Sequence, residues 1–237
     1  MRISLAGRNA VVTGGSRGIG KAIAARFEEA GARVLVSSRT AGFHADLTRE
    51  DEIRALVEHA FRELGEVHIL VNNAGVYPVT PFRDISAEEW RAVMATNLDA
   101  PFLCSRLVAE QMIARGTRGR ILNVSSTASL VARPGIAHYG ASKAGLNMLT
   151  RVLAIELAPH GITVNALCPG VIETETVMEA CHTAEHAAKL RRIPLGRLGK
   201  PEEVASAALF MVSDEAAYMT GACVVLDGGY ALGIPGY

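Results

Sequence analysis

The run Asn9 to Thr13 (NAVVT), the turn Gly14-Gly15-Ser16-Arg17-Gly18-Ile19-Gly20 and the alanine-rich stretch to about Ala30 constrain this chain most. A short, mostly apolar run closed by glycine reads as a buried strand, and the periodic stretch after it as a helix. The glycines permit a tight turn and let backbone N–H groups and the helix N-terminus approach a phosphate. A second strand, Arg33 to Ser37, follows at βαβ distance. The chain therefore starts as a parallel sheet with crossover helices.

The alternation persists to the end. Strands are predicted near Asn9–Thr13, Arg33–Ser37, His68–Asn72, Arg120–Ser125, Thr163–Leu167 and Ala222–Leu226. Helices are predicted near Gly18–Glu29, Glu50–Glu63, Ala87–Arg115, Tyr139–Pro159 and Pro201–Ser213. This pattern predicts an α/β protein, one Rossmann-fold domain over residues 1–237 with a doubly wound parallel sheet and helices on both faces.

Charge and cysteines exclude several classes. Lys+Arg and Asp+Glu balance at 24 each, so no field gathers nucleic acid or an anionic membrane. Cys104, Cys168, Cys181 and Cys223 lack Cys-x-x-Cys pairing, which argues against zinc and a disulfide framework and fits a reducing cytoplasm. The start MRISLAGRNAVVTGG has no signal-peptide architecture, and no apolar run approaches the roughly 20 residues that span a bilayer. Gly15 to Lys21 imitates a nucleoside-triphosphatase loop, but Ala22 replaces the hydroxyl that would ligate magnesium. His182-Thr183-Ala184-Glu185-His186 spells a zinc-protease pattern with no outlying acidic ligand indicated, so no metal is expected. Trp90 and Met94, an i, i+4 apolar pair, read as core.

Tyr139-Gly140-Ala141-Ser142-Lys143 carries the chemistry. Tyr139 and Lys143 share a helical face, so an ammonium can lie within reach of a phenol. A nearby cation favours phenolate and moves a pKa of about 10 toward neutrality, which makes the pair a candidate general acid/base. Gly14, Asn73, Ser126 and Pro169 fall at or just beyond predicted strand ends, where open α/β sheets bind ligands.

With the glycine turn, Asn72-Asn73-Ala74-Gly75, Asn97, Ser126, Tyr139, Lys143 and Pro169-Gly170 in this order, the chain resembles the short-chain dehydrogenase/reductase family over essentially its whole length. It is most similar to the 3-oxoacyl-[acyl-carrier-protein] reductase type in Gly161-Ile162-Thr163-Val164-Asn165, Pro194-Leu195-Gly196-Arg197 and Ser213-Asp214-Glu215-Ala216-Ala217-Tyr218. The resemblance implies that Ser126 bonds the substrate oxygen, Tyr139 transfers its proton, Lys143 holds the nicotinamide ribose and lowers the tyrosine's pKa, and Asn97 kinks its helix and holds a relay water. It implies cofactor contacts from Gly14, Ser16, Arg17, Gly18, Ile19, Gly20, Ser38, Arg39, Asp46, Leu47, Asn73, Ala74, Gly75, Pro169, Gly170, Ile172 and Thr174, besides Tyr139 and Lys143. Asp46 would meet the adenine amino group, and Ile172 and Thr174 the carboxamide. Relatives place a helix and a strand after the second strand, whereas six residues separate Arg39 from Asp46 here. A loop and a short strand near Phe43–Ala45 are expected.

Where NAD sites carry a carboxylate, this chain has Ser38, followed by Arg39. Serine leaves room for a 2′-phosphate, which Arg39 and Arg17 can clamp, so NADPH/NADP+ is expected over NADH. The implied reaction is reduction of a ketone, foremost a 3-oxoacyl thioester, and Arg115, Arg118 and Arg120 could supply a basic patch for a carrier. Two departures oppose carrier recognition: His160 and Ile136 stand where such reductases often have Arg and Gln. The alternatives are a ketoreductase for a cyclic or aromatic ketone, an alcohol or dihydrodiol dehydrogenase, and a non-catalytic NADP(H)-binding regulator or scaffold. Residues 176–192 would cover the substrate. Relatives also imply a homotetramer, or at least a dimer, through the long helices at Ala87–Arg115 and Tyr139–Pro159, whose apolar content exceeds one sheet-facing stripe.

Overall fold

The computed structural model describes residues 3–175, 190 and 192–233. Strands β1 (Asn9–Thr13), β2 (Arg33–Ser38), β3 (Phe43–His44), β4 (Ile69–Asn72), β5 (Arg120–Val124), β6 (Thr163–Pro169) and β7 (Cys223–Leu226) form one sheet. All neighbours are parallel, in the order β3-β2-β1-β4-β5-β6-β7. The helices are α1 (Gly18–Glu29), α2 (Glu50–Leu64), α3 (Ala87–Met94), α4 (Ala100–Arg115), α5 (Ala137–Leu157) and α6 (Pro201–Val212) among the described residues.

Period-two alternation divides the core. Val12, Val71, Leu122 and Leu167 pack with Ile23 and Phe27 of α1 and Val204 and Leu209 of α6 on one face. Val11, Leu70, Ile121 and Val164 meet Ile53 and Val57 of α2, Val108 and Met112 of α4, and Ala154 of α5 on the other. Burial on both faces explains why the strands read as continuous apolar runs. Strand order runs outward from β1 both ways, so the crevice above the carboxyl ends of β1 and β4 is the topological switch point.

Two regions depart from regularity. The segment expected as one helix over Ala87–Arg115 is broken by a π turn at Ala95–Asp99 that contains Asn97. Beyond β2 there is no helix; residues 39–42 form a loop and β3 pairs at Ser37 and Ser38, as expected from the shortened spacing. Trp90 is 39% exposed, a correction to its reading as core: it sits on the outer side of the short helix α3. No described helix is long and apolar enough to cross a membrane.

Candidate active site

The cofactor end is built by two turns pressed together. Gly14 has φ +64°, and a Cβ there would stand 2.8 Å from Ala74 Cα; a Cβ on Gly20 would collide with the Asn73 amide and the Gly14 carbonyl. Only glycine lets these backbones approach so closely. Asn73 Nδ2 donates to the carbonyls of Thr13 and Gly14, both at 3.0 Å. Thr13 Oγ1 accepts from the Asn73 and Ala74 amides. Asn73 therefore spends its side chain strapping the glycine turn in place. Arg17 precedes α1, whose first amides have no side-chain cap and remain for a ligand. Ile19 packs on the core, Gly18 lies against Thr174, and Ser16 Oγ accepts a 3.2 Å bond from Thr40 Oγ1.

Ser38 ends β2 with its hydroxyl already committed. It donates to Ala41 O at 2.7 Å and accepts from the Thr40 and Ala41 amides, which closes the short loop. Besides the cofactor contact expected of it, Ser38 thus closes the loop. Arg39 and Arg17 are exposed and make no ion pair among the described residues. Asp46 bonds the backbone and hydroxyl of Thr48; these bonds, with Arg39 nearby, hold its carboxyl below the usual range. Leu47 packs against the second core face. Pro169 ends β6, Gly170 presses on Asp227, and the Ile172 side chain is buried beside Gly199. Ile172 can therefore offer a ligand its backbone but not its side chain.

At the carboxyl end of β5, Ser126 Oγ accepts from Ala128 N at 3.1 Å and bonds the Tyr139 phenol. Lys143 is 4% exposed and its Nζ donates to Val124 O at 2.8 Å. Burial drops the ammonium to about 8. Burial also raises the Tyr139 phenol, opposed by the Ser126 bond and the charge of Arg133. The Lys143 Nζ stands 5.9 Å from the Tyr139 ring centre and turns to the Val124 carbonyl. A Cβ on Gly75 would reach both Asn97 Oδ1 and Lys143 Nζ. Asn97 is fully buried; its Oδ1 accepts from Val76 N and its Nδ2 donates to Val76 O, each at 2.9 Å. Ser126, Tyr139, Lys143 and Asn97 thus converge on one edge of the sheet.

Several residues of the site were missed by sequence reading. His138 is fully buried; its Nδ1 accepts from Tyr139 N at 3.0 Å, which fixes Nε2 as the protonated nitrogen and directs it to Glu89 Oε1 at 3.0 Å. Thr80 Oγ1 donates to the same oxygen at 2.6 Å. The contact is through the Tyr139 backbone. Cys168 packs below the site with its thiol against Asn147 Oδ1 at 3.7 Å, and burial pushes the thiol up. Asn72, Asn123 and Thr150 form a buried polar chain between β4, β5 and α5. Tyr77 packs edge-on against Tyr139 with ring centres 4.6 Å apart. The 182–186 histidine pattern and most of 176–192 lie outside the described residues, among which no metal-binding cluster occurs.

Residues 14–231 match the family model described as Enoyl-(Acyl carrier protein) reductase. The chain is 36% identical to glucose 1-dehydrogenase 2 of Bacillus subtilis, over 96% of each chain. It is 38% identical to the 3-oxoacyl-[acyl-carrier-protein] reductase FabG of Vibrio cholerae, over 96% of this chain and 98% of that one. A solved structure from Beutenbergia cavernae, assigned provisionally as an NAD(P)-dependent gluconate 5-dehydrogenase and holding NADP at low occupancy, superposes with a TM-score of 0.91 at 38% identity. That superposition covers 98% of this chain and 100% of the other. The chain belongs to the short-chain dehydrogenase/reductase family. It is an oxidoreductase acting on CH–OH and C=O groups.

Proposed function

We propose that this protein reduces a ketone to a secondary alcohol with NADPH, and that Tyr139 is the general acid. The observation that carries the reading is the convergence of Ser126, Tyr139 and Lys143 beside the switch-point crevice. The crevice suits a nicotinamide dinucleotide: the glycine turn leaves the first amides of α1 uncapped, and Lys143 spends one of its three N–H donors on Val124 O and faces Gly75. Arg17 and Arg39, exposed and without an ion pair among the described residues, favour the 2′-phosphate over a plain ribose. When bound, the cofactor supplies the hydride. Ser126 and Tyr139 hold the carbonyl oxygen between two hydroxyls, and Tyr139 delivers its proton as negative charge develops there. Asn97 fixes the Gly75–Val76 turn against the π turn.

The 3-oxoacyl thioester remains one substrate reading, supported by the family model and the Vibrio relative. A small free carbonyl compound is the second, and two observations favour it. The segments of acyl-reductase resemblance are occupied in holding the fold: Asn165 bonds Met219 and Ala222, Arg197 pairs with Glu203, and Asp214 pairs with Arg8 and Arg120. Arg115, Arg118 and Arg120 flank the amino end of β5, opposite the edge that carries Ser126, so they lend no support to carrier docking.

Assembly through α4 and α5 is proposed because Phe102, Met148, Val152 and Ile155 are exposed on them, the last three spaced i, i+4, i+7 on α5. The test is NADPH and NADH oxidation with a panel of 3-oxoacyl thioesters, oxo acids, cyclic ketones and sugars. Absence of turnover with every ketone would leave the non-catalytic binder as the better reading.

A further inference from the structure

One charge on the cleft wall is not used by the proposed chemistry. Arg133 is half-buried in the loop leading into α5. Its guanidinium lies 5.7 Å from the Tyr77 ring centre, and Tyr77 packs against Tyr139 at an interplanar angle of 85°. The loop is held in place: Thr80 N donates to Gly135 O at 2.9 Å, and Val79 abuts Gly135. Among the described residues no carboxylate forms an ion pair with Arg133. Arg49, Arg54 and Arg197 each find one, whereas Arg17 and Arg39 at the proposed cofactor end share the unpaired state of Arg133 among the described residues.

A guanidinium resting on an aromatic face is weakly hydrated and keeps its N–H fork for an oxyanion. We propose that Arg133 binds a carboxylate of the substrate, so that the natural substrate is an oxo acid whose carboxylate lies a few bonds from the carbon reacting at Tyr139. A carboxylate is favoured over a phosphate because one guanidinium matches one charge, whereas a phosphate monoester carries about −1.5 to −2 at pH 7. Exposed Tyr77, Val79 and Leu130 supply an apolar rim for the carbon chain between the two polar ends. The bound carboxylate also cancels the cation that otherwise stabilises phenolate, which keeps Tyr139 in the protonated form that a reduction consumes.

The inference rests on the ketone-reductase reading, and the experiment separates the two. NADPH oxidation is followed with 3-oxobutanoate, 4-oxopentanoate and 5-oxohexanoate and with their methyl esters. For the best acid, kcat/KM should exceed that of its ester by about 10- to 100-fold, the ratio expected of a charge-assisted contact. Arg133→Gln should erase that ratio while leaving the ester within a few-fold, and Arg133→Lys should restore part of it. Equal handling of acid and ester by the wild type, or equal loss of both in Arg133→Gln, overturns the inference while leaving ketone reduction intact. Calorimetric titration of each acid into the cofactor-free protein gives a readout independent of turnover. Acid binding weakened at least tenfold by Arg133→Gln supports the inference even where no ketone is reduced, and equal or undetectable binding in both proteins, together with no acid preference in turnover, overturns it.

Discussion

Replacing Lys143 by Met should stabilise the cofactor-free protein while destroying its activity. The ammonium is 4% exposed and burial lowers it from 10.5 to about 8. At about 1.4 kcal/mol per pKa unit, keeping it charged costs the fold up to about 3 kcal/mol. Methionine fills similar space without charge, but it strands the Val124 carbonyl, which accepts from Nζ at 2.8 Å. Losing that bond returns about 1 kcal/mol or somewhat more, which leaves a net gain of roughly 1–2 kcal/mol at pH 7.

The pH dependence has a definite sign. Below pH 8 the lysine is protonated in folded and unfolded chains alike, so the whole cost persists. Between about 8 and 10.5 the folded chain gives up the proton first, and the wild type regains stability as pH rises. Urea unfolding of both proteins without cofactor, at several pH values from 7 to 10.5, reads the difference directly. A Met variant less stable than wild type at pH 7, or a gap that does not narrow across that window, would refute the reasoning. Saturating NADPH should reverse the order, because the wild type gains more from a ligand it binds more tightly.

Tyr139→Phe should bind NADPH within a few-fold of wild type and lose roughly 10²- to 10⁴-fold in kcat, since only the transferable proton is gone; a variant that retains a tenth of wild-type kcat would exclude Tyr139 as the acid. Arg39→Ala should weaken NADPH by roughly 10- to 100-fold, leave NADH little changed and flatten the salt dependence of NADPH binding, as titration of both cofactors would show. Adding Ser38→Asp should open the 39–42 loop as well as alter preference, because aspartate cannot donate to the Ala41 carbonyl; proteolysis in that loop would report it. His138→Ala should lower kcat about tenfold or more with NADPH affinity unchanged, and His138→Asn, which keeps an acceptor near the Tyr139 amide, should recover most of it; equal losses in both variants would mean that the bond to the Tyr139 amide does not position the phenol.

Local rules settled much of this protein in advance. The strand, glycine turn and helix at Asn9 to Ala30 depend on neighbours in the chain: glycine tolerates the turn, apolar periodicity marks the faces, and i, i+4 spacing aligns Tyr139 with Lys143. The alternation of such units fixed the parallel sheet, and Gly14, Asn73, Ser126 and Pro169 then fell at its carboxyl edge. The families of residues that share a crevice were legible because strand ends are.

Other properties arose only when distant segments met. The depressed ammonium of Lys143 comes from burial beneath β5, not from its helix. His138 reads as an incidental histidine until Glu89, 49 residues away, supplies a carboxylate and the Tyr139 amide a donor. Arg133 becomes a cleft residue only because the loop bearing Tyr77 folds over the loop before α5. The segments that resemble acyl reductases looked like specificity signals, yet their polar side chains hold β6 and β7, α6 and the amino edge of the sheet together. Sequence periodicity reports which face a residue takes, whereas solvation and electrostatic partners are set by what packs over that face, and that is decided in three dimensions.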